Sequence, residues 1–127
     1  GDDLKFFTFA LGMVVNYDTD ILNYKIRVMK ESRNNRHIDG KALNINSEDK
    51  ETIICVNQRL VDQRKMERIV ATLIHELDHC ITGARDGSRT FREAGDKRIG
   101  KLLMNHYCDK TELIQMTNET KIGSDDE

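Results

Sequence analysis

Apolar residues recur at intervals of three and four in two stretches of the chain, the spacing of a helix with one buried face. The first stretch, residues 4–17, predicts an N-terminal helix. The second, residues 63–82, carries a longer apolar stripe, and Gly83 directly after it favours a helix end at that point. The stripe of the second helix consists of Met66, Ile69, Val70, Leu73, Ile74, Leu77 and Ile81.

The pattern between these two helices indicates strands. Residues 24–29 alternate in polarity, as expected for a strand with one buried face. After a polar loop at 32–39, two short apolar runs at 42–45 and 52–56 flank the turn-like segment 46–50. These two runs therefore predict a hairpin.

One further helix is predicted after Gly83. Asp86 or Ser88 is a suitable N-cap for it, and it extends to about Tyr107. The predicted fold class is thus α+β, with an N-terminal helix, a small three-stranded sheet, a motif helix and a second C-terminal helix. We expect one domain over residues 1–118 and a flexible acidic tail over 119–127.

Length, charge and cysteine content narrow the class of protein. A chain of 127 residues suits one hydrophobic core, and a net charge of -2 gives no overall attraction to nucleic acid or to acidic membranes. The apolar run at residues 6–15 is too short to span a bilayer. Three cysteines, an odd number, argue against a disulfide framework. We therefore expect a cytoplasmic protein without a membrane segment and with no indicated nucleic-acid partner.

The strongest chemical signal is an H-E-x-x-H pattern within the second helix. Its histidines, His75 and His79, are four residues apart and so project from the same helical face, on which they can share one Zn²⁺ ion. That face is opposite to the apolar stripe, so the alternative of two core histidines is disfavoured, although two surface histidines remain an alternative. Glu76 is placed to act as the general base on a zinc-activated water. The pattern predicts a zinc metalloprotease that hydrolyses peptide bonds.

Such a site needs a third protein ligand, and several carboxylates follow the motif. Asp86 is the first choice because Gly83 lets the chain turn back towards the helix, and its alternative role is a helix N-cap. Glu93 is the alternative third ligand, or else a solvated carboxylate. Asp96 can accept a hydrogen bond from a ligating imidazole, and His106 is expected to be a packed or capping residue.

The segment from residue 73 to residue 91 resembles the small zincin-like peptidases, and the WLM-type and SprT-like proteases most of all. In the WLM-type pattern, a glycine four residues after the second histidine precedes a His-Asp element and an aromatic residue. Gly83 and Asp86 match this pattern, whereas Arg85 stands in place of the third histidine. The resemblance thus implies a minimal zincin fold with Asp86 as the substitute ligand. The chain is also similar to peptidase-like domains at the C-terminus of some bacterial ATPase proteins.

Two other functions are compatible with the same residues. One is a catalytically silent zincin-fold module that binds a partner without cleaving it. The other is a peptidase that is regulated by a fused or separate domain. The favoured partner is a protein or peptide substrate. Comparing the hydrolytic activity of wild type and Glu76→Gln distinguishes cleavage from binding alone.

Overall fold

Three short strands form a mixed sheet in the computed structural model, which describes residues 1–107 with side chains to Met104. β1 (Lys25–Met29) runs parallel to β3 (Ile53–Asn57), and β2 (Gly40–Leu43) runs antiparallel to it, which gives the spatial order β1-β3-β2. The predicted hairpin is confirmed. β2 ends earlier than predicted because Asn44 has a positive φ of 61° and leaves the extended conformation.

The helices and the small sheet together form an α+β fold, as predicted. A short 3₁₀ helix, Thr19–Asn23, follows the first α-helix and was not predicted. The N-terminal helix, the motif helix and the C-terminal helix were all predicted, and a brief additional helix precedes the motif helix. The α-helices are α1 (Asp2–Tyr17), α2 (Gln58–Asp62), α3 (Met66–Thr82) and α4 (Arg89–Tyr107).

The prediction of a helix that begins at about residue 63 is wrong at its start. The helical conformation is interrupted between α2 and α3, and α3 begins at Met66. Arg64 has a left-handed φ of 55°, and the Lys65 N–H donates to the Leu60 carbonyl at 2.9 Å. The Arg64 guanidinium donates to the Asp3 carboxylate at 2.7 Å, which ties the turn to α1. This tertiary contact involves a residue far away in sequence, so helical periodicity alone does not reveal the break.

The hydrophobic core lies between one face of the sheet and the helices α1 and α3. At Gly40 β2 comes so close to α3 that an added Cβ atom would collide with the Thr72 side chain. Ile81, which was assigned to the buried stripe, is instead about half exposed near the end of α3, at 48%. The buried residues of this core are Phe7, Ala10, Val14, Ile21, Ile54, Val56, Leu60, Val61, Ile69, Leu73 and Leu77.

Two compact units are distinguished along the chain, Gly1–Gly95 and Asp96–Glu127. The sheet and the H-E-x-x-H residues belong to the first unit, and the described part of the second unit is helical. The predicted boundary between residues 118 and 119 lies outside the described residues. Among the described helices, none combines the length and the apolar character needed to cross a membrane.

Candidate metal centre

Helix α3 places the two motif histidines together on its solvent-facing side. Its opposite face is anchored in the core by Leu73 and Leu77, which are fully buried. The Nε2 atoms of His75 and His79 are 3.2 Å apart. The His75 side chain is 47% exposed and that of His79 is 12% exposed, so the pair is open to solvent on the His75 side.

The loop that follows α3, residues 83–88 (hereafter the return loop), brings Asp86 to both histidines. Gly83 ends the helix in the left-handed conformation with a φ of 64°, which reverses the chain direction. The Asp86 Oδ1 atom lies 2.7 Å from His79 Nε2 and 3.1 Å from His75 Nε2. The structure therefore brings Asp86, the residue suggested as third ligand, together with both motif histidines.

A backbone contact within the return loop orients one imidazole. His79 Nδ1 donates its hydrogen bond to the Ala84 carbonyl oxygen, at 2.7 Å. Because Nδ1 carries that proton, the Nε2 lone pair of the neutral ring faces His75 and Asp86. Metal-ligating histidines are commonly held in this way, by a carbonyl on the ring nitrogen that does not ligate.

The three converging atoms lie closer together than the neighbouring ligand atoms of a tetrahedral zinc ion. Tetrahedral bonds of about 2.0–2.1 Å separate neighbouring ligand atoms by about 3.3 Å. The observed separations among His75, His79 and Asp86 are 2.7, 3.1 and 3.2 Å. Two imidazole nitrogens and one carboxylate oxygen form a donor set typical of a catalytic zinc site with a further position left open. The same contacts also serve as His–Asp hydrogen bonds when an imidazole is protonated.

Glu76 lies directly behind this cluster and is almost completely buried, at 7% exposure. Its Oε1 atom is 4.0 Å from His75 Nε2. Burial raises the pKa of the Glu76 carboxyl above its usual value, and this is opposed by the neighbouring His75 and His79. A carboxyl with a raised pKa beside an open cluster of ligands is suited to taking up a proton.

The other acidic candidates lie in different settings. Glu93 accepts a hydrogen bond from the Arg89 guanidinium at 2.9 Å on the exposed surface of α4. The cap at the start of α4 is Ser88, whose Oγ accepts from the Phe91 N–H at 3.2 Å, so Asp86 is not needed for that role. Asp96 begins the second unit, and its suggested hydrogen-bonding role stays a prediction.

An aromatic ring in the first turn of α4 contacts both histidines. Phe91 stacks on His79 with centroids 4.1 Å apart and an angle of 16° between the planes, and it meets His75 edge-on at 5.0 Å. The signal for this role was present in the aromatic residue of the WLM-type pattern. The side chain of His106 lies outside the described residues.

Two surface depressions open on either side of the cluster, and both reach the edge strand β2 at Gly40. The first, of 460 Å³, extends along α3 to Arg68 and is bordered by His37, which lies within the predicted polar loop at 32–39. At the Arg68 end of this depression, Asp39 forms ion pairs with both Arg68 and Arg59. The second, of 630 Å³, lies between β2 and the return loop. Glu76 and Asp86 line both depressions, whereas His75 lines the first and His79 the second.

Cys80, which follows the second histidine, has the properties of a packed thiol. Burial raises its pKa to about 11, and the nearby Glu76 carboxylate contributes to the rise. At neutral pH this group is a thiol, which is a poor nucleophile.

The chain matches no protein-family model, and no curated protein and no solved structure is significantly similar to it.

Proposed function

We propose that this chain is a zinc-dependent metallopeptidase of the zincin-like H-E-x-x-H type, with His75, His79 and Asp86 as metal ligands. The observation that carries the proposal is the convergence of their three ligand atoms within 3.2 Å of one another. Bound there, zinc would polarise a substrate carbonyl and lower the pKa of a water molecule. The buried Glu76 beside the cluster supports hydrolysis, since metal storage alone requires no base.

In this proposal Glu76 acts on protons and does not ligate the metal. Its carboxylate accepts a proton from the attacking water and later passes it to the departing amine of the cleaved peptide bond. The raised pKa of Glu76 brings its proton affinity closer to that needed near neutral pH. The hydrogen bond from His79 to the Ala84 carbonyl orients the ring so that Nε2 is the ligating nitrogen in this proposal.

The edge strand β2 supports a peptide as the substrate. In the described sheet β2 pairs with β3 on one side, and Gly40 at its start borders both depressions next to the ligand cluster. An extended peptide can add to such an edge through main-chain hydrogen bonds. Cys55 and Cys80 are free thiols, which favours a reducing compartment, and we propose the cytoplasm.

The test is hydrolysis of an unfolded protein by zinc-loaded wild type, Glu76→Gln and Glu67→Gln. Glu67 lies in the first turn of the same helix and is exposed, so it is a matched control for the loss of one carboxylate. Glu76→Gln should retain zinc but lose activity by at least about 100-fold, the usual contribution of general-base catalysis. Equal activity of wild type and Glu76→Gln, both with zinc bound, would contradict the proposal.

A second candidate function is a zincin-fold interaction module that does not cleave its partner. It is favoured by large apolar side chains on the surface of α1, where Leu4 and Phe9 are 67% and 66% exposed. The same assay separates the two functions, because a silent module binds zinc yet hydrolyses nothing, with Glu76 or with Gln at that position. A peptidase that depends on a regulatory domain would gain activity when that domain is supplied.

A further inference from the structure

One aromatic side chain of α4 packs on the motif histidines and lies outside the hydrophobic core. Phe91 is half-buried, yet it belongs neither to the buried core of the described residues nor to the partly buried side chains packed against that core. The centroid of its ring lies 4.1 Å from that of His79 and 5.0 Å from that of His75. Phe91 therefore contacts both proposed histidine ligands without being part of the packing that defines the core.

The three rings have a defined mutual orientation. The Phe91 ring is nearly parallel to that of His79, with 16° between the planes, whereas it makes an angle of 73° with that of His75. The planes of the two imidazoles are 81° apart, with centroids separated by 4.8 Å. Stacked and edge-to-face pairs at such distances are favoured arrangements of aromatic rings. A rotation of either imidazole about its side-chain bonds would therefore break a favourable contact with Phe91.

Hydrogen bonds constrain the two imidazoles unequally. His79 is held at Nδ1 by the Ala84 carbonyl oxygen, 2.7 Å away, which fixes one side of its ring. His75 meets His79 and Asp86 through its Nε2 atom, at 3.2 and 3.1 Å, and this is the atom that the proposed site gives to zinc. The contact with Phe91 is made between rings and uses no lone pair, so it can persist when Nε2 binds a metal.

The return loop holds the Phe91 backbone through the cap of α4. The Phe91 N–H donates to Ser88 Oγ at 3.2 Å, and the Ser88 N–H donates to the Arg85 carbonyl at 3.2 Å. The Arg92 N–H donates to the Ser88 carbonyl at 3.0 Å, which is the first hydrogen bond of the helix. The same loop carries Asp86, so one short segment presents both the third proposed ligand and the ring that contacts the other two.

From these contacts we infer that Phe91 is a positioning residue, which sets the ring orientation of both histidine ligands. The inference rests on the proposed zinc site, although it can be measured by metal binding without hydrolysis. Rings that are already oriented before the metal binds lose less freedom when it does, so the affinity is higher. Each ring contact should contribute about two- to tenfold, and removal of the Phe91 ring should weaken zinc binding by about 10-fold.

The test compares metal binding by the full chain as wild type, Phe91→Tyr, Phe91→Leu and Phe91→Met. Tyrosine keeps the ring, whereas leucine and methionine keep an apolar side chain without one. Competition with a chelator should show zinc affinity about 10-fold lower for Phe91→Leu and Phe91→Met, and within about twofold of wild type for Phe91→Tyr. The visible spectrum of bound Co²⁺, which reports the geometry of the ligands, should change in the two variants without a ring and be retained in Phe91→Tyr.

Two controls separate positioning from folding. Urea unfolding in the presence of chelator measures whether each variant folds without metal. Phe9→Leu makes the same substitution on α1, where Phe9 is 66% exposed, and it should bind zinc as wild type does. Unfolding of both Phe91→Leu and Phe91→Met in chelator would overturn the inference, because Phe91 would then support the fold.

The remaining outcomes distinguish this inference from the peptidase proposal. Wild-type zinc affinity in Phe91→Leu and Phe91→Met, or a loss of affinity in Phe91→Tyr as large as theirs, overturns the positioning role. Hydrolysis by wild type together with either result supports the peptidase alone. If affinity depends on the ring while wild type hydrolyses no unfolded protein, the positioning role is supported and the peptidase proposal fails. Absence of zinc binding by wild type overturns both.

Discussion

The Nδ1 atom of His79 lies 2.7 Å from the carbonyl oxygen of Ala84, five residues further along the chain. This hydrogen bond links a proposed ligand in α3 to the return loop that delivers Asp86. A change in the loop should therefore affect zinc binding through two ligands at once.

Gly83→Ala should destabilise the protein and weaken zinc binding. Gly83 has a φ of 64°, and an added Cβ would lie 2.9 Å from the Asn46 amide nitrogen. We expect a loss of about 1–3 kcal/mol in unfolding free energy, and zinc affinity reduced by about 10- to 100-fold as the loop shifts. The measurements are urea unfolding and zinc titration against a competing chelator.

Gly12→Ala is the matched control for that substitution. Gly12 lies within α1, and a Cβ atom there would have nothing within 4 Å. The variant should gain about 0.5–1 kcal/mol because alanine is the better helix former. Zinc affinity should stay at the wild-type value. If Gly83→Ala matches wild type in both measurements, the return loop does not set the ligand geometry.

Asp86→Ala and Glu93→Ala should differ sharply in metal content. Asp86 contacts both histidines, so its loss should reduce zinc affinity by more than the roughly 100-fold typical of an outer partner. Glu93 pairs with Arg89 on an exposed helix surface, and its removal should cost only about 0.3–0.5 kcal/mol of stability. Metal analysis after dialysis measures the difference. Stoichiometric zinc in Asp86→Ala but not in Glu93→Ala would reassign the third ligand.

Zinc should stabilise the folded chain through the two histidines. Free zinc at about 100 times its dissociation constant should add about 2.7 kcal/mol to the unfolding free energy, provided that the unfolded chain does not bind it. His75→Ala combined with His79→Ala should abolish this gain. Urea unfolding with zinc and with chelator gives the comparison for both proteins. An equal gain in the double variant would show that zinc binds elsewhere.

Asn57→Ala should loosen the loop that carries His37 and Asp39. Asn57 is fully buried, and its amide donates to the carbonyls of Asn35 and Ile38 at 3.1 and 3.0 Å. Its removal leaves those bonds unmade, with an expected loss of about 1–3 kcal/mol. Thermal unfolding and hydrogen exchange of the loop provide the measurement.

Asn16→Ala, at an exposed position of α1, is the control for Asn57→Ala and should change stability by less than about 0.5 kcal/mol. Equal stability of the two variants would mean that the Asn57 hydrogen bonds contribute nothing net to folding. Exchange that slows in the loop of Asn57→Ala would likewise contradict the expected loosening.

The amino-acid sequence by itself determined the elements whose cause is local. The stripe around Leu73 and Leu77 repeats at the helical period, so it predicts α3 and its buried face without knowledge of any other element. The same helical geometry, with its spacing of four residues, is sufficient to bring His75 and His79 together. Alternation along β1 likewise follows from the pleat of a single strand.

Only the tertiary structure determined the features of the site that depend on contacts between residues far apart in the sequence. Asp86 approaches the histidines, and Glu93 does not, because of how the return loop closes against Asn46 and His79, whereas sequence spacing allowed either carboxylate. Gly40 comes close to Thr72 only because β2 packs against α3 in the folded chain. The helical and strand repeats do not determine the distance between residues on different elements. That distance is set by how the elements pack together, and each element can satisfy its own repeat in several packings.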